Sequence, residues 1–336
     1  MGKFWILLLC VMFASCATDL DVRKKIRGVS YVAVRDTIGP EEVKPLQALN
    51  ADHASVMPYG FLRDSGSSEV IYNTPRQWFG EREEGVRQYI RELHKMNIRV
   101  MVKPHLWIGR GFFTGDLTME NEQDWKHLQD SYRSYILFYA KLAEEEGAEL
   151  FCIGTELHSF AIERPEFFRD LIREVRKVFS GELTYAENWD QYQNISFWGE
   201  LDLIGVDAYF PLTASKTPEV DELLEEWERH KDALEACALK YEKPILFAEY
   251  GYRSTDYNTK APWDSSRKEV SVNLQAQVNA LRAMAEVIWE EDWFAGGFLW
   301  KWFPFHQKAG GKDDNRFTIQ NKPAEALIRE VYKIQK

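Results

Sequence analysis

The stretch ELFCIGTEL, residues 149–157, is a short apolar run between polar residues and is typical of a buried strand. An amphipathic helical pattern follows at residues 166–179, and a second short apolar run follows at 182–189. A strand, a helix and a strand in this order predict two parallel strands that are joined by a crossover helix.

The same alternation continues outward in both directions and produces eight candidate strands. These strands are residues 28–34, 54–61, 98–107, 149–157, 182–189, 201–210, 244–250 and 295–302. Helical patterns occupy residues 81–96, 125–146, 166–179, 219–241 and 270–291, and a last helix is predicted at 323–336. Eight such units predict an α/β protein with a single closed (β/α)8 TIM barrel, which commonly takes 250 residues or more.

The composition narrows the class of ligand. The chain of 336 residues has 53 acidic and 42 basic side chains, a net charge of −11. We expect no nucleic-acid partner, because a duplex binder needs a basic face to neutralise phosphates. Aromatic residues make up 14% of the chain and include 12 tryptophans. Flat rings of this kind stack on the apolar faces of sugars, although composition alone does not establish sugar binding.

The amino terminus, MGKFWILLLCVMFASC, predicts export. Its apolar run is too short to cross a membrane and fits the core of a signal peptide. The ending Ala14-Ser15-Cys16 resembles the cleavage box of bacterial lipoproteins, in which the cysteine is lipidated. We expect residues 1–16 to be a signal peptide, 17–26 a polar tether, and 27–336 the catalytic domain. The protein would then contact the cell-envelope membrane through a lipid on Cys16 only. Because Phe13 stands where leucine is usual, plain secretion is the alternative.

Two glutamates leave the predicted barrel at the ends of strands. Glu156 ends the fourth strand and Glu249 ends the seventh. In such barrels chemistry takes place at the carboxyl ends of the strands, so both carboxylates are expected to face one cavity. Glycoside hydrolysis requires two carboxyl groups in this arrangement. A single glutamate at either place would more often be a structural ion-pair or loop residue.

Four strings extend this pattern to a known family. The strings GTEL, GVDAYFP, FAEYGYRS and GGFLWKW resemble glycoside hydrolase family 113 of clan A. The resemblance runs from Gly28 to the final helix, and Thr155 replaces the asparagine usual in the wider clan, as in family 113. It implies β-1,4-mannanase activity on a β-linked oligo- or polysaccharide by a retaining mechanism. Glu156 would be the general acid/base and Glu249 the nucleophile.

Other polar and aromatic residues at strand ends are candidates for substrate binding. On the third strand Lys103, His105 and Trp107 share a face, and Lys103 is deep enough to pair with a buried carboxylate instead. His105 is placed to bond a sugar hydroxyl or a catalytic carboxylate. Asn188 ends the fifth strand, where any strand-to-loop exit is also polar. Trp107 is either a sugar platform or a lid on the barrel.

The sixth and eighth strands supply four further candidates. Tyr209 would donate a hydrogen bond to the nucleophile and keep it ionised, as a tyrosine does in clan A. Asp207 lies two residues earlier and would bind substrate or orient its neighbours. Alternation places Trp300 and Trp302 on one face, where Trp300 is favoured as a floor under the sugar and core packing is the alternative.

Several motifs of other enzyme classes are absent from the chain. It contains no HExxH, CxxC, GxSxG or GxxxxGK[ST] sequence, and we expect no metal and no cofactor. Two functional alternatives stay open. One is a β-glycosidase of another specificity, such as an exo-β-mannosidase or another β-glycan hydrolase. The other is a non-catalytic, glycan-binding surface lipoprotein.

Overall fold

The computed structural model describes residues 24–264 and 271–333. Its strands are β1 (Ile26–Tyr31), β2 (His53–Val56), β3 (Tyr59–Leu62), β4 (Ile71–Tyr72), β5 (Arg99–Val102), β6 (His105–Ile108), β7 (Leu150–Thr155), β8 (Glu182–Asn188), β9 (Ile204–Ala208), β10 (Ile245–Tyr250) and β11 (Phe294–Trp302). Its α-helices are α1 (Pro40–Ala48), α2 (Glu83–Lys95), α3 (Glu122–Glu145), α4 (His158–Glu163), α5 (Pro165–Val175), α6 (Val220–Tyr241), α7 (Leu274–Ile288) and α8 (Pro323–Val331). Cys16, the predicted lipidation site, lies outside the described residues.

Eight parallel strands close into one barrel. Around the barrel their order is β1, β11, β10, β9, β8, β7, β5 and β2. Each strand pairs in parallel with its neighbours, and helices surround the barrel. The predicted single (β/α)8 TIM barrel is therefore confirmed. The fourth and seventh barrel strands are β7 and β10, which carry the two candidate glutamates to the same rim.

Two of the predicted strands are each divided into two shorter strands in the structure, so their prediction as single strands is wrong. Residues 54–61 divide into β2 and β3, and residues 98–107 divide into β5 and β6. The breaks contain Pro58 and Pro104, which lack the backbone N–H that a central strand donates. Beyond the breaks, β3 pairs with β4 and β6 in a separate three-stranded sheet. This small sheet extends the barrel rim and carries His105 and Trp107.

The sequence reading missed two helices, α1 and α4. The first contains Pro45 inside it, which is a helix-breaking signal in sequence, although Pro40 occupies the favourable first turn. The second is a short helix of six residues that follows the fourth barrel strand after two intervening residues. In the part of the chain that the structure describes, no helix has the length and apolarity needed to cross a membrane.

Buried apolar side chains pack on both sides of the strands. One cluster fills the space between strands and helices and includes Tyr132 and Tyr185. A smaller cluster, with members on β1, β5, β7, β8, β10 and β11, includes Cys152, which is fully buried as expected of a small hydrophobe. Gly296 in β11 has φ +100°, and a Cβ there would lie 2.2 Å from the carbonyl oxygen of Ile26. Glycine thus lets β1 and β11 close the barrel.

Candidate active site

A cavity of about 850 Å³ opens at the carboxyl ends of the barrel strands. Glu156 and Glu249 both line it, and both also line an adjoining space of about 490 Å³. Glu156 is the residue directly after β7, whereas Glu249 is the penultimate residue of β10. The structure therefore brings together the two carboxyl groups that were predicted from sequence to share one site.

Two hydrogen bonds hold the carboxylate of Glu249. Tyr209 Oη donates to Glu249 Oε2 at 2.8 Å, and Lys103 Nζ donates to Glu249 Oε1 at 2.5 Å. Burial, followed by the charge of Glu249, raises the pKa of Tyr209 well above its usual value, so the phenol stays a donor. Glu249 itself is only 5% exposed. A buried carboxylate that accepts from a lysine and a tyrosine is stabilised and fixed in orientation.

Lys103 and Asp207 lie below the cavity. Both are fully buried, and Lys103 Nζ is 3.3 Å from each carboxylate oxygen of Asp207. Burial opposes a charge on Lys103, but the carboxylates of Asp207 and Glu249 raise its pKa above the usual value. Neither residue lines the cavity, so the structure places both behind its surface and not at the position predicted for a substrate contact. Lys103 bonds Glu249 from below, which fits the alternative that it pairs with a buried carboxylate. Burial, followed by the charge of Glu249, raises the pKa of Asp207 well above its usual value.

The surroundings of Glu156 disfavour its ionised form, in contrast to the donors that bond Glu249. Burial, followed by the negative charge of Glu249, raises the pKa of Glu156 from the ordinary 4.5 to about 8. Glu187 and Asp190 add to this effect, whereas Lys103 opposes it. At neutral pH this carboxyl group therefore carries a proton. A carboxyl group that is protonated at neutral pH can act as a general acid.

The remaining candidates meet the cavity at different points. Asn188, Trp107 and Trp300 line it directly, and Trp107 is 55% exposed. His105 lines the adjoining space and stacks on Trp300, with ring centroids 6.2 Å apart. Its Nε2 is 3.6 Å from Glu249 Oε1. Burial and the nearby charge of Lys103 hold the pKa of His105 well below the usual value, so the ring is neutral at neutral pH.

Trp302 does not line the cavity, although it was predicted as a substrate contact. It is fully buried in the core next to His306. Between Val29 and Tyr31 the β1 strand advances two residues while β11 advances three, from Leu299 to Trp302. Such a bulge reverses the alternation of side chains, so the two tryptophans point to different sides. The peptide bond between Trp300 and Lys301 is cis.

The same bulge explains why sequence reasoning missed Lys301. Simple alternation sends Lys301 away from the face of Trp300, yet both side chains line the cavity. Lys301 Nζ lies 5.2 Å from the centre of the Trp300 ring. Burial lowers the pKa of Lys301, while the charge of Glu249 opposes that shift. The cavity therefore has a lysine side chain beside the ring of Trp300.

Aromatic side chains on loops complete the walls. Trp189 and Trp263 stack with centroids 5.2 Å apart and an interplanar angle of 22°. Phe113, which is 49% exposed, lines the same cavity, as does Trp107. Trp263 and Phe113 were not predicted, because they lie in loops whose course no strand or helix pattern reveals. Exposed rings in a concave site are typical of surfaces that stack on sugars.

Acidic groups are spread around the cavity rather than gathered at one point. Asp116 and Asp190 line it together with the two glutamates. Among residues 24–264 and 271–333, no three or more histidine, cysteine or acidic side chains are arranged to hold a metal ion. Among the carboxyl groups of this cavity, Glu249 accepts two hydrogen bonds from buried donors and Glu156 has a raised pKa.

Known proteins of one family are similar to this chain over most of its length. The model of Glycoside Hydrolase Family 113 matches residues 33–322. The structure is similar to the β-mannanase AaManA of that family from Alicyclobacillus acidocaldarius, solved in complex with ManMIm. The identity is 25% and the TM-score 0.80, over 92% of this chain and 97% of that one.

A second similar structure is a complex of a family 113 β-1,4-mannanase, with a TM-score of 0.79. It is 24% identical and matches over 93% of this chain and 99% of its own length, which supports the fold. No curated protein sequence matches the chain. Because the family model spans most of the chain, the protein belongs to glycoside hydrolase family 113 and is a glycoside hydrolase.

Proposed function

We propose that the protein is a retaining β-mannanase that cleaves β-1,4-mannosidic bonds by double displacement. The observation that carries the proposal is the contrast between the two glutamates in one cavity. Glu249 accepts hydrogen bonds from Lys103 and Tyr209, whereas the pKa of Glu156 is raised to about 8. The first environment suits a nucleophile and the second suits a general acid.

In the first step a carboxylate oxygen of Glu249 attacks the anomeric carbon. The bond from that carbon to the glycosidic oxygen breaks, and Glu156 gives its proton to the departing oxygen. Lys103 and Tyr209 keep the attacking carboxylate oriented, because both donate to it from buried positions. The products of this step are a free sugar hydroxyl and a glycosyl ester on Glu249.

In the second step Glu156, now ionised, takes a proton from water. The water oxygen attacks the anomeric carbon and the ester bond to Glu249 breaks. Two inversions at the same carbon leave the β-configuration of the substrate unchanged. Glu156 returns to its protonated form, and its raised pKa favours this return at neutral pH.

The choice of β-mannan as substrate has a separate basis from the mechanism. It rests on family membership and on the β-mannanases that the chain resembles. The stacked pair of Trp189 and Trp263 and the floor of Trp300 fit a chain of flat sugar rings. A β-glycosidase of another specificity would use the same carboxyl pair with other loops, because barrel loops change substrate while the fold stays.

The test measures hydrolysis of manno-oligosaccharides by the wild type and by Glu156→Gln and Glu249→Gln. NMR identifies the anomer that is released first. We expect the β-anomer and losses of several orders of magnitude in both variants. Glu120→Gln, which changes an exposed glutamate outside the cavity, is the matched control and should keep full activity.

Three results would overturn parts of the proposal. Release of the α-anomer would refute the retaining mechanism. Cleavage of another β-glycan, with manno-oligosaccharides untouched and the same variant pattern, would refute the substrate and keep the mechanism. Binding of a glycan without cleavage would identify a glycan-binding protein instead of an enzyme.

We also propose that the protein is exported and anchored by a lipid on Cys16, with plain secretion as the alternative. The support is the short apolar run that ends in Ala14-Ser15-Cys16. The full chain is expressed in bacteria with a clickable fatty acid, and Cys16→Ala is compared with Cys10→Ala. Label should be lost only in Cys16→Ala, because Cys10 lies within the predicted signal peptide. An unlabelled wild type released to the medium would support plain secretion.

A further inference from the structure

Two tyrosine rings occupy the space beside Gly154, which lies two residues before Glu156. A Cβ at Gly154 would be 2.9 Å from Tyr132 Oη and 2.9 Å from Tyr185 Cε2. The glycine of the GTEL string is therefore needed for close packing of these rings against β7. This packing brings the hydroxyl of Tyr185, on the neighbouring strand β8, to the end of β7.

The Tyr185 hydroxyl bonds the backbone next to Glu156. Leu157 N–H donates to Tyr185 Oη at 2.9 Å, and Tyr185 Oη donates to Glu187 Oε2 at 3.2 Å. On the other side, Glu156 N–H donates to the carbonyl oxygen of Ala186 at 2.8 Å. Glu156 has φ +51°, an uncommon conformation for a residue with a side chain. Hydrogen bonds to two residues of β8 thus hold the backbone of Glu156 and of the next residue in place.

Glu187 is the acceptor at the end of this chain of bonds. It is fully buried and does not line the cavity. It also accepts from the Asn188 N–H at 2.8 Å and lies 3.6 Å from His158 Nδ1. His158 begins α4, and the pKa of its ring is raised, first of all by Glu187. Glu187 therefore connects β8, the backbone after Glu156 and the start of α4.

We propose that Tyr185 and Glu187 are positioning residues that aim the carboxyl group of Glu156 at the glycosidic oxygen. The inference rests on the proposed function, in which Glu156 is the acid/base. Without the Tyr185 hydroxyl, the Leu157 N–H loses its acceptor and Glu156 can relax toward an ordinary backbone conformation. The proton would then be held at the wrong distance from the departing oxygen.

The test compares Tyr185→Phe with Tyr132→Phe. Tyr132 is an equally buried tyrosine whose hydroxyl donates to the Ile153 carbonyl at 2.9 Å, also on β7 but three residues before Glu156. The substrates are two aryl β-mannobiosides, one with a phenolate and one with a 2,4-dinitrophenolate leaving group. Phenolate needs a proton to depart and dinitrophenolate does not, so only the first reports acid catalysis.

We expect Tyr185→Phe to lower kcat/KM for the phenyl substrate by about 100-fold, the usual cost of a misplaced catalytic group. The dinitrophenyl substrate should lose less than about threefold, and Tyr132→Phe should spare both substrates. Equal losses on both substrates would show that Tyr185 has a structural role and does not position the acid. No loss on either substrate would also refute the proposal. A wild type that cleaves neither would refute the proposed function instead.

Glu187→Gln provides a second readout that does not depend on the tyrosine variant folding. Charges that act on Glu156 come from Glu249, Lys103, Glu187 and Asp190. The negative charge of Glu187 raises the pKa of Glu156, so removing it should lower that pKa. The fall in kcat/KM for the phenyl substrate at alkaline pH should then begin at a lower pH. If Glu187→Gln and the wild type show the same alkaline pH profile and the same kcat/KM at pH 6, Glu187 has no positioning role.

Discussion

Replacing Glu156 by glutamine should make the protein more stable at alkaline pH while it abolishes catalysis. Glutamine has nearly the shape of a protonated glutamate but cannot ionise. In the native wild type, burial and the charge of Glu249 raise the pKa of Glu156 to about 8, against 4.5 for an ordinary glutamate. Ionising this residue therefore costs more free energy in the folded chain than in the unfolded chain.

The pH window follows from that difference. Below pH 4.5 Glu156 is neutral in both states and has no effect on the pH dependence. Between pH 4.5 and about 8 only the unfolded chain releases the proton, so the free energy of unfolding falls as pH rises. Above pH 8 both states are ionised and the loss is complete. The glutamine variant lacks this loss.

The pKa difference of Glu156 between the folded and unfolded chain sets an upper limit on the change in the free energy of unfolding. A difference of about 3.5 pKa units at about 1.36 kcal/mol each would give at most ~5 kcal/mol. Because Glu156 remains partly exposed to the cavity, water screens part of this energy, and we expect about 1–3 kcal/mol. The stability advantage of Glu156→Gln over the wild type should grow by that amount between pH 5 and pH 8.5.

The assay is urea unfolding of both proteins at the two pH values, followed by tryptophan fluorescence. Glu120→Gln serves as the control, because it changes an exposed glutamate and should show no such difference. A stability advantage of equal size at pH 5 and pH 8.5 would refute the raised pKa of Glu156. Kinetics give an independent check, since wild-type kcat/KM should fall above pH 8 as the acid loses its proton.

Three further variants test the surroundings of the site. Tyr209→Phe removes the 2.8 Å hydrogen bond to Glu249 and should lower kcat/KM by about 10- to 150-fold without unfolding the protein, as steady-state kinetics and circular dichroism can verify. Lys103→Met leaves the carboxylates of Glu249 and Asp207 without their buried cation, and urea unfolding should show a loss of about 3–5 kcal/mol. Trp263→Ala should weaken binding of long manno-oligosaccharides by up to about tenfold and spare short ones, as measured by calorimetry.

Sequence reasoning was most reliable where a regular pattern exists. Glu156 and Glu249 were placed at strand ends because apolar runs of strand length are visible in the sequence, and the closed parallel barrel then brings such ends together. Tyr209 was placed beside Glu249, and the structure puts its hydroxyl on that carboxylate. Asn188 and Trp300 were predicted at the rim and line the cavity.

Errors arose where local backbone geometry departs from the ideal strand. A bulge in β11 takes Trp302 into the core and leaves Lys301 in the cavity, against simple alternation. Pro58 and Pro104 divide two predicted strands and create the small sheet of β3, β4 and β6. Neither a bulge nor a change of sheet alters the apolar pattern that the prediction used.

The sequence alone determined the order of strands and helices, and with it the barrel and the rim on which the two glutamates lie. Hydrophobic periodicity carries this information, because burial of one face depends on residue type at a fixed spacing. Only the tertiary structure decided which polar groups meet across the barrel. The pairing of Lys103 with Glu249, the bond from Leu157 to Tyr185, and the raised pKa of Glu156 all depend on contacts between residues far apart in the chain. Burial and distance set those energies, and neither is written in local sequence.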